Sequence, residues 1–265
     1  MNKNQDMIVA VFNNKGGVGK TTTAVNLAAA LAGKREKALL VDLDGQASAS
    51  LHLGHSRHST LPNAADVLVR DIGIEEAITE TDIPGLALLP GSRGLANFDL
   101  EMAGRLARER VLKKRLSGVA DQYDWIVLDC PPALSLLTLN SLVAADRYLV
   151  PVAPGYLALE GLAGLLQEVE RVKTELETPG ELLGILPTMV DYRNRLTGEV
   201  LDMLRRHFGD LVTKTEVRVN VRLAEASSYG QSIFEYDKKC QGALNYRALA
   251  KEVRKRCRER RTVAA

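Results

Sequence analysis

The amino-acid sequence predicts an α/β fold, a mostly parallel twisted sheet with helices on both of its faces. Three observations carry this. Short apolar runs recur along the chain, and the first, residues 7–12, is apolar on both faces, as a buried parallel strand requires. They alternate with longer segments of helical periodicity, the pattern that crossover connections between parallel strands produce. Finally, the polar residues with chemical potential stand just after the apolar runs, where ligands meet the carboxyl ends of parallel strands.

Residues 7–12 (MIVAVF) form the first expected strand, followed by a Gly-rich turn. Residues 21–32 are expected to be helical, with Val25, Ala28, Leu31 and Ala32 on one stripe. Residues 38–42 (ALLVD) and 86–89 are the next strands, and 54–63 (GHSRHSTLPN) has the composition of a loop. A long charged helix is expected over 95–116. Residues 125–129 (WIVLD) and 148–152 (YLVPV) are strands around a helix at 138–145. Further on, the pattern predicts a helix over 157–176, a strand over 183–190 and a helix over 199–208. Residues 212–217 alternate like an edge strand. Helices close the chain, ending in a basic one over about residues 242–261. Without a repeat or a linker, a single domain over 1–265 is expected.

Composition excludes several classes. Cys130, Cys240 and Cys257 are too few and too scattered for a disulfide framework or a zinc site, and they favour a reducing compartment. No apolar run approaches the roughly 18 residues of a membrane span. The polar start at residues 1–6 does not read as a signal peptide. A net charge of +2 argues nothing by itself, but it is unevenly spread. Residues 238–261 carry ten Lys or Arg against Glu252 and Glu259, a net of +8, which leaves −6 for the rest. Such a segment is either a solvated helix face or an electrostatic contribution to binding DNA or acidic lipid. Residues 254–265 lack the bulky apolar side chains of a membrane-inserting helix.

The run Gly16-Gly17-Val18-Gly19-Lys20-Thr21 follows the first strand and opens the first helix. It departs from the standard phosphate-loop string in one place, where Asn14 replaces the first glycine. Small residues let backbone N–H groups turn onto a polyanion, and the helix N-terminus adds its dipole. Lys20 supplies a point charge for the outer phosphates, and Thr21 a hydroxyl for Mg²⁺. Lys15 sits near Lys20 and repels it unless an anion lies between them. It is either a solvated charge or a second phosphate contact, made in its own chain or across a dimer.

Two further stations are acidic. Asp42 and Asp44 close the second strand in LVDLDGQ, and Asp129 closes another in VLDCPP. Adjacent parallel strands bring these carboxylates beside the loop. Phosphoryl transfer needs a divalent cation near the phosphates and a group that orients the attacking water. Asp129 suits the first role, and Asp44, in a mobile Gly-containing turn, suits the second.

The strings NNKGGVGKTTTAVNLAAALA, LLVDLDGQASASLHLG and YDWIVLDCPPALSLLTLNSL resemble the ParA/Soj partition ATPases, of the deviant Walker A group of P-loop NTPases. GYLALEGLAGL, ILPTMVD and NVRLAEA continue the likeness, which spans about residues 8 to 253. The resemblance implies ATP and Mg²⁺ as cofactors. It implies that Lys15 reaches the partner's ATP in a sandwich homodimer, and that Gly16 lies where the subunits meet. Gly17, Val18, Gly19, Lys20, Thr21, Thr22 and Asn220 would contact nucleotide. Thr21, Asp44 and Asp129 would serve the metal, with Asp44 needed for hydrolysis. Arg193 and Arg222 match arginines that bind DNA without sequence preference. The implied partners are nucleoid DNA and a ParB-like or cargo-adaptor protein that stimulates slow hydrolysis, in the cytoplasm and not at a membrane. Three departures stand out: Asp44-Gly45-Gln46 for Asp-Pro-Gln, Arg218-Val219-Asn220 for Pro-Arg-Asn, and Glu225-Ala226-Ser227 for Glu-Ala-Pro.

Three other functions share the loop. A MinD-like membrane ATPase requires an apolar amphipathic C-terminus. An iron-protein-like electron donor requires a pair of cluster cysteines. A small-molecule kinase leaves Lys15 and the ALEGL and NVRLAEA strings without a purpose.

Overall fold

The computed structural model describes residues 7–56, 59, 61–155 and 158–263. The polar start at 1–6, part of the 54–63 loop and part of the GYLALEGLAGL motif lie outside the described residues. Seven strands make one sheet: β1 (Met7–Val11), β2 (Ala38–Asp42), β3 (Thr79–Glu80), β4 (Leu86–Leu89), β5 (Trp125–Asp129), β6 (Arg147–Val152) and β7 (Glu181–Pro187). Their spatial order is β3-β4-β2-β5-β1-β6-β7. All neighbours pair in parallel except the two-residue edge strand β3, which runs antiparallel to β4 and is too short to show in a hydropathy pattern.

The all-apolar strands serve two cores at once. In β1, Ala10 and Phe12 beyond its end join one core, while Val9 and Val11 join the other. The second core is closed by α1 (Lys20–Leu31) and the long C-terminal helix, through Tyr246, Leu249, Ala250 and Val253. The other face is covered by helices that include α3 (Leu136–Ala144), α4 (Ala158–Leu176) and α5 (Arg195–Phe208). Between α1 and α3 the short α2 (Ser48–His52) follows β2 directly. After α5 come α6 (Val221–Ser228) and α7 (Gln241–Val263).

Two expectations fail. The helix expected over 95–116 is broken into a 3-10 turn at Arg93–Asn97, one helical turn at Phe98–Glu101 and a helix at Val111–Leu116. Gly104 and Ala107 between these pieces have φ of 81° and 51°, a left-handed backbone that no right-handed helix can traverse. The edge strand expected over 212–217 is reduced to single bridges, Ile185 to Val212 and Val190 to Arg218.

Candidate active site

The loop after β1 is held from β6 and β7, the two strands on one side of it. Asn13 is buried; its amide donates to the Pro151 carbonyl at 2.7 Å, and its Oδ1 accepts the Lys15 N–H at 2.9 Å. Thr188, just past β7, donates its hydroxyl to the Val18 carbonyl at 2.8 Å. Neither residue belongs to the loop motif. The signal for both is a polar side chain directly after an apolar strand. Gly17 and Gly19 have φ of 70° and 82°, which curls the loop into a cradle of the kind that binds anions. Gly16 differs from them. It is not left-handed, and a Cβ on it would meet nothing within 4 Å among the described residues. Its own chain therefore gives no reason for glycine there.

Lys20 opens α1 and is only 8% exposed. Its ammonium donates to the Lys15 carbonyl at 2.8 Å. Burial lowers its pKa, and the charges of Asp129 and then Asp44 oppose that shift. The lysine thus faces both acids, as expected. Thr21 and Thr22 follow in the first turn, half-buried.

The sheet register brings the acids together. Asp42 lies beside Asp129, and Asp129 beside Val11, the last residue of β1. Asp129 is fully buried, and neither of its oxygens has a hydrogen-bond partner among the described residues. Desolvation, then the Asp42 charge, raises its pKa well above the usual carboxylate range, opposed by Lys20 and by the Thr21 hydroxyl, which lies near it without hydrogen-bond geometry. A buried carboxylate left without partners is costly. The donor set of Asp129 and Thr21 fits a hydrated divalent cation, which supplies what those oxygens lack.

Asp42 does something else. One oxygen accepts the N–H and the hydroxyl of Ser50 at 2.8 and 2.7 Å, and the other accepts the Asp44 N–H at 3.2 Å. Burial is the main cause of a pKa pushed up to about 6. Asp42 ties α2 to the strand end and leaves Asp44 as the half-buried acid of the turn. That turn is not the loose segment its glycine suggested. Asp44 accepts the Gln46 N–H through Oδ1 and the Ala47 N–H through its carbonyl. A Cβ on Gly45 would stand 3.2 Å from the Ala96 nitrogen, so the turn runs close beneath the segment after β4.

Arg193 and Arg222 lie at the same end of the sheet as the loop. The segments that carry them are joined by the Val190–Arg218 bridge, and Thr188 ties the first of them to the loop. Each arginine has an acidic partner within the chain. Arg193 is 84% exposed and doubly hydrogen-bonded to Asp191, whose carboxyl it holds at about 2. Arg222 pairs with Glu225 at 2.8 Å. Arg218 stacks over Tyr192, with 5.3 Å to the ring centroid, adding a third cation to this face. Asn220 caps α6, its Oδ1 accepting the Arg222 N–H at 2.9 Å.

The basic C-terminal helix is partly spent on structure. Arg254 donates to the Leu31 carbonyl at 3.0 Å and to Glu36 at 2.6 Å. Arg256 donates to the Leu183 and Val212 carbonyls.

A strand, a glycine cradle, a lysine at the helix start, a hydroxyl beside it and a buried acid on the next strand define a P-loop nucleotide-hydrolysing protein. Comparison with known proteins narrows this class. A family model described as "AAA domain" matches residues 6–180. The chain is 43% identical to the sporulation initiation inhibitor protein Soj of Bacillus subtilis, over 93% of this chain and 97% of that one. It is 39% identical to the chromosome partitioning protein ParA of Caulobacter vibrioides along the whole of both chains. Among solved structures it is similar to one from Mycobacterium smegmatis described as cobyrinic acid a,c-diamide synthase with bound ATP analogue and magnesium. The identity there is 33%, the TM-score 0.80, and 93% of each chain is covered. The chain belongs to the ParA/Soj family of P-loop ATPases.

Proposed function

We propose that this ATPase positions a chromosome, plasmid or protein cargo by cycling on and off DNA. The observation that carries the reading is the single edge of the sheet that holds Lys20, the unpartnered Asp129, the Asp44 turn and the Arg193–Arg222 face together. ATP would lie in the cradle formed by residues 15–22, with Asn220 beside its base or ribose. Lys20 would exchange the Lys15 carbonyl for the outer phosphates. Thr21 and Asp129 would hold Mg²⁺, with Asp44 beside them. The cation supplies neutralisation of the charge that develops on the phosphates. Asp44, its turn fixed by three hydrogen bonds donated by backbone N–H groups, would orient the attacking water.

A sandwich homodimer accounts for two residues that the single chain leaves unexplained. Gly16 has open space around it, as a point of close approach between subunits needs. Lys15 has its backbone held by Asn13 and Lys20, and its side chain would reach across to the partner's ATP. Dimerisation doubles Arg193, Arg218 and Arg222, so nucleotide switches DNA affinity. Hydrolysis, slow alone and stimulated by a ParB-like or adaptor partner, reverses it. The protein would then reside in the cytoplasm, on the nucleoid in its ATP state. The membrane-cycling alternative finds little support. No helix is long and apolar enough to cross a membrane among the described residues. On α7 the one large exposed apolar side chain described is Leu244, near its start.

Co-sedimentation separates these readings. The protein should pellet with DNA in ATP and not in ADP, and should ignore acidic liposomes in both. Liposome binding in ATP, or equal DNA binding in both nucleotides, would overturn the proposal.

A further inference from the structure

We infer that the segment around Leu106 is a docking surface for a protein partner that presents an acidic stretch carrying apolar side chains. Leu106 is 96% exposed and Leu100 76%, the two most exposed large apolar side chains among the described residues. A lone exposed leucine needs no explanation. What sets this one apart is how firmly the chain around it is held. Met102, between the two leucines in sequence, is buried. Arg105 donates to the Val69 carbonyl at 3.0 Å, and Arg110 to the Leu176 carbonyl at 3.0 Å. Asn140 of α3 donates to the Arg108 carbonyl at 2.9 Å and accepts the Leu112 N–H at 3.0 Å. Leu106 thus stands out from a segment fastened on either side of it.

The backbone adds a second observation. Gly104 and Ala107, with φ of 81° and 51°, bracket Arg105 and Leu106 and keep Leu106 out of a regular helix. The left-handed region is unfavourable for alanine, and such strain persists only where the surrounding structure imposes it. Charge then selects the partner. Arg115 is paired with Asp71, and Arg110 with Glu109. Arg108, Lys113 and Lys114 are exposed and have no acidic partner among the described residues. A held leucine beside three such cations complements an acidic, apolar stretch, whose leucines would cover Leu106 while its carboxylates steer the approach. A nucleic acid would use the cations and leave the leucine uncovered. β4, which leads into this segment, and β7, which leads to Arg193, lie on opposite sides of β1 in the sheet. The partner would therefore not compete with whatever binds the Arg193–Arg222 face.

The test uses a fluorescent amphipathic peptide of leucine and glutamate, with a leucine–lysine peptide of the same pattern as control, on the full chain. By anisotropy the acidic peptide should bind the parent. Leu106→Ser should weaken that binding roughly tenfold, the loss of one buried apolar anchor. Lys113→Glu combined with Lys114→Glu should weaken it further, and the lysine peptide should bind least. All three positions are exposed, so the variants should fold like the parent. Hydrogen exchange should show protection by the acidic peptide over residues 104–114. No binding of the acidic peptide, binding that Leu106→Ser leaves unchanged, or protection confined to other segments would overturn the proposal. Two further results would also overturn it. Loss of self-association in Leu106→Ser, read by sedimentation without peptide, would assign the leucine to a contact between copies of this chain. Loss of DNA affinity in the glutamate variant would assign the cations to nucleic acid.

Discussion

Two carboxylates two residues apart, Asp42 and Asp44, are divided by their surroundings into an anchor and a candidate reactive group. Asp42 is buried and accepts three hydrogen bonds, while Asp44 sits half-buried on a fixed turn. Asp44→Ala is therefore expected to retain ATP and DNA binding and to lose turnover, measured as phosphate release with DNA retention assayed in parallel. Turnover at the parent rate would remove Asp44 from its role. Arg222→Glu is expected to weaken DNA binding and leave ATP-dependent dimerisation intact. Because the side chain is present twice in a dimer, the slope of log affinity against log salt should fall by about 1.8, roughly 0.9 for each phosphate that is no longer neutralised. An unchanged slope would show that Arg222 stays with Glu225. The spacing of Gly19, Lys20 and Thr21 was legible in the sequence because a phosphate cradle tolerates little variation. The roles of Asn13 and Thr188 were not, since they depend on the order in which β6 and β7 follow β1 across the sheet.

The helices add links that local patterns do not contain. α2 carries the Asp44 turn into α6, with Gly54 against Gly230 and His52 against Gln231. His52 is 3% exposed, and its Nε2 has no partner among the described residues. Desolvation pushes its pKa down to about 4, against a weaker opposing hydrogen bond with the Gln231 backbone. A base whose folded pKa is depressed binds fewer protons than the unfolded chain, so stability falls as pH drops from about 6.5 towards 4. Between pH 7.5 and 5 the parent should lose roughly 2 kcal/mol more than His52→Leu, read from urea unfolding at both pH values. Equal losses would mean the ring is solvated in the native state. At the other end of the molecule, Arg254 couples α7 to the last turn of α1 and to Glu36. Arg254→Ala should cost about 1.5–3 kcal/mol, the range for hydrogen bonds to a charged group, with DNA affinity kept. A loss of DNA affinity at full stability would assign this arginine to the binding face instead. The broken 95–116 segment shows why a charged, leucine-containing run misleads: its Leu100 and Leu106 are exposed.

Across the whole molecule, the uneven charge takes a different meaning from the one its linear position suggests. The +8 segment lies largely in α7, which packs one face on α1 and spends Arg254 and Arg256 on carbonyl oxygens. The cations gathered at the same end of the sheet as the nucleotide loop are Arg193, Arg218 and Arg222, which come from two loops and the first turn of α6 and form no run in the sequence. Each of Arg193 and Arg222 carries an acidic neighbour that offsets its field, so one chain should hold DNA weakly and a pair of chains much more firmly.

The alternation of two-sided apolar strands with helices determined the parallel sheet, since only strands buried on both faces are apolar at every position. The Lys20–Thr21 motif and the acids at strand ends determined the class of chemistry, because phosphate and cation binding demand those groups within a short reach. Only the tertiary structure decided which acid is anchored and which arginines are committed. Those outcomes depend on burial and on neighbours distant in sequence: Asp42 with Ser50 and Gly91, and Arg254 with Leu31.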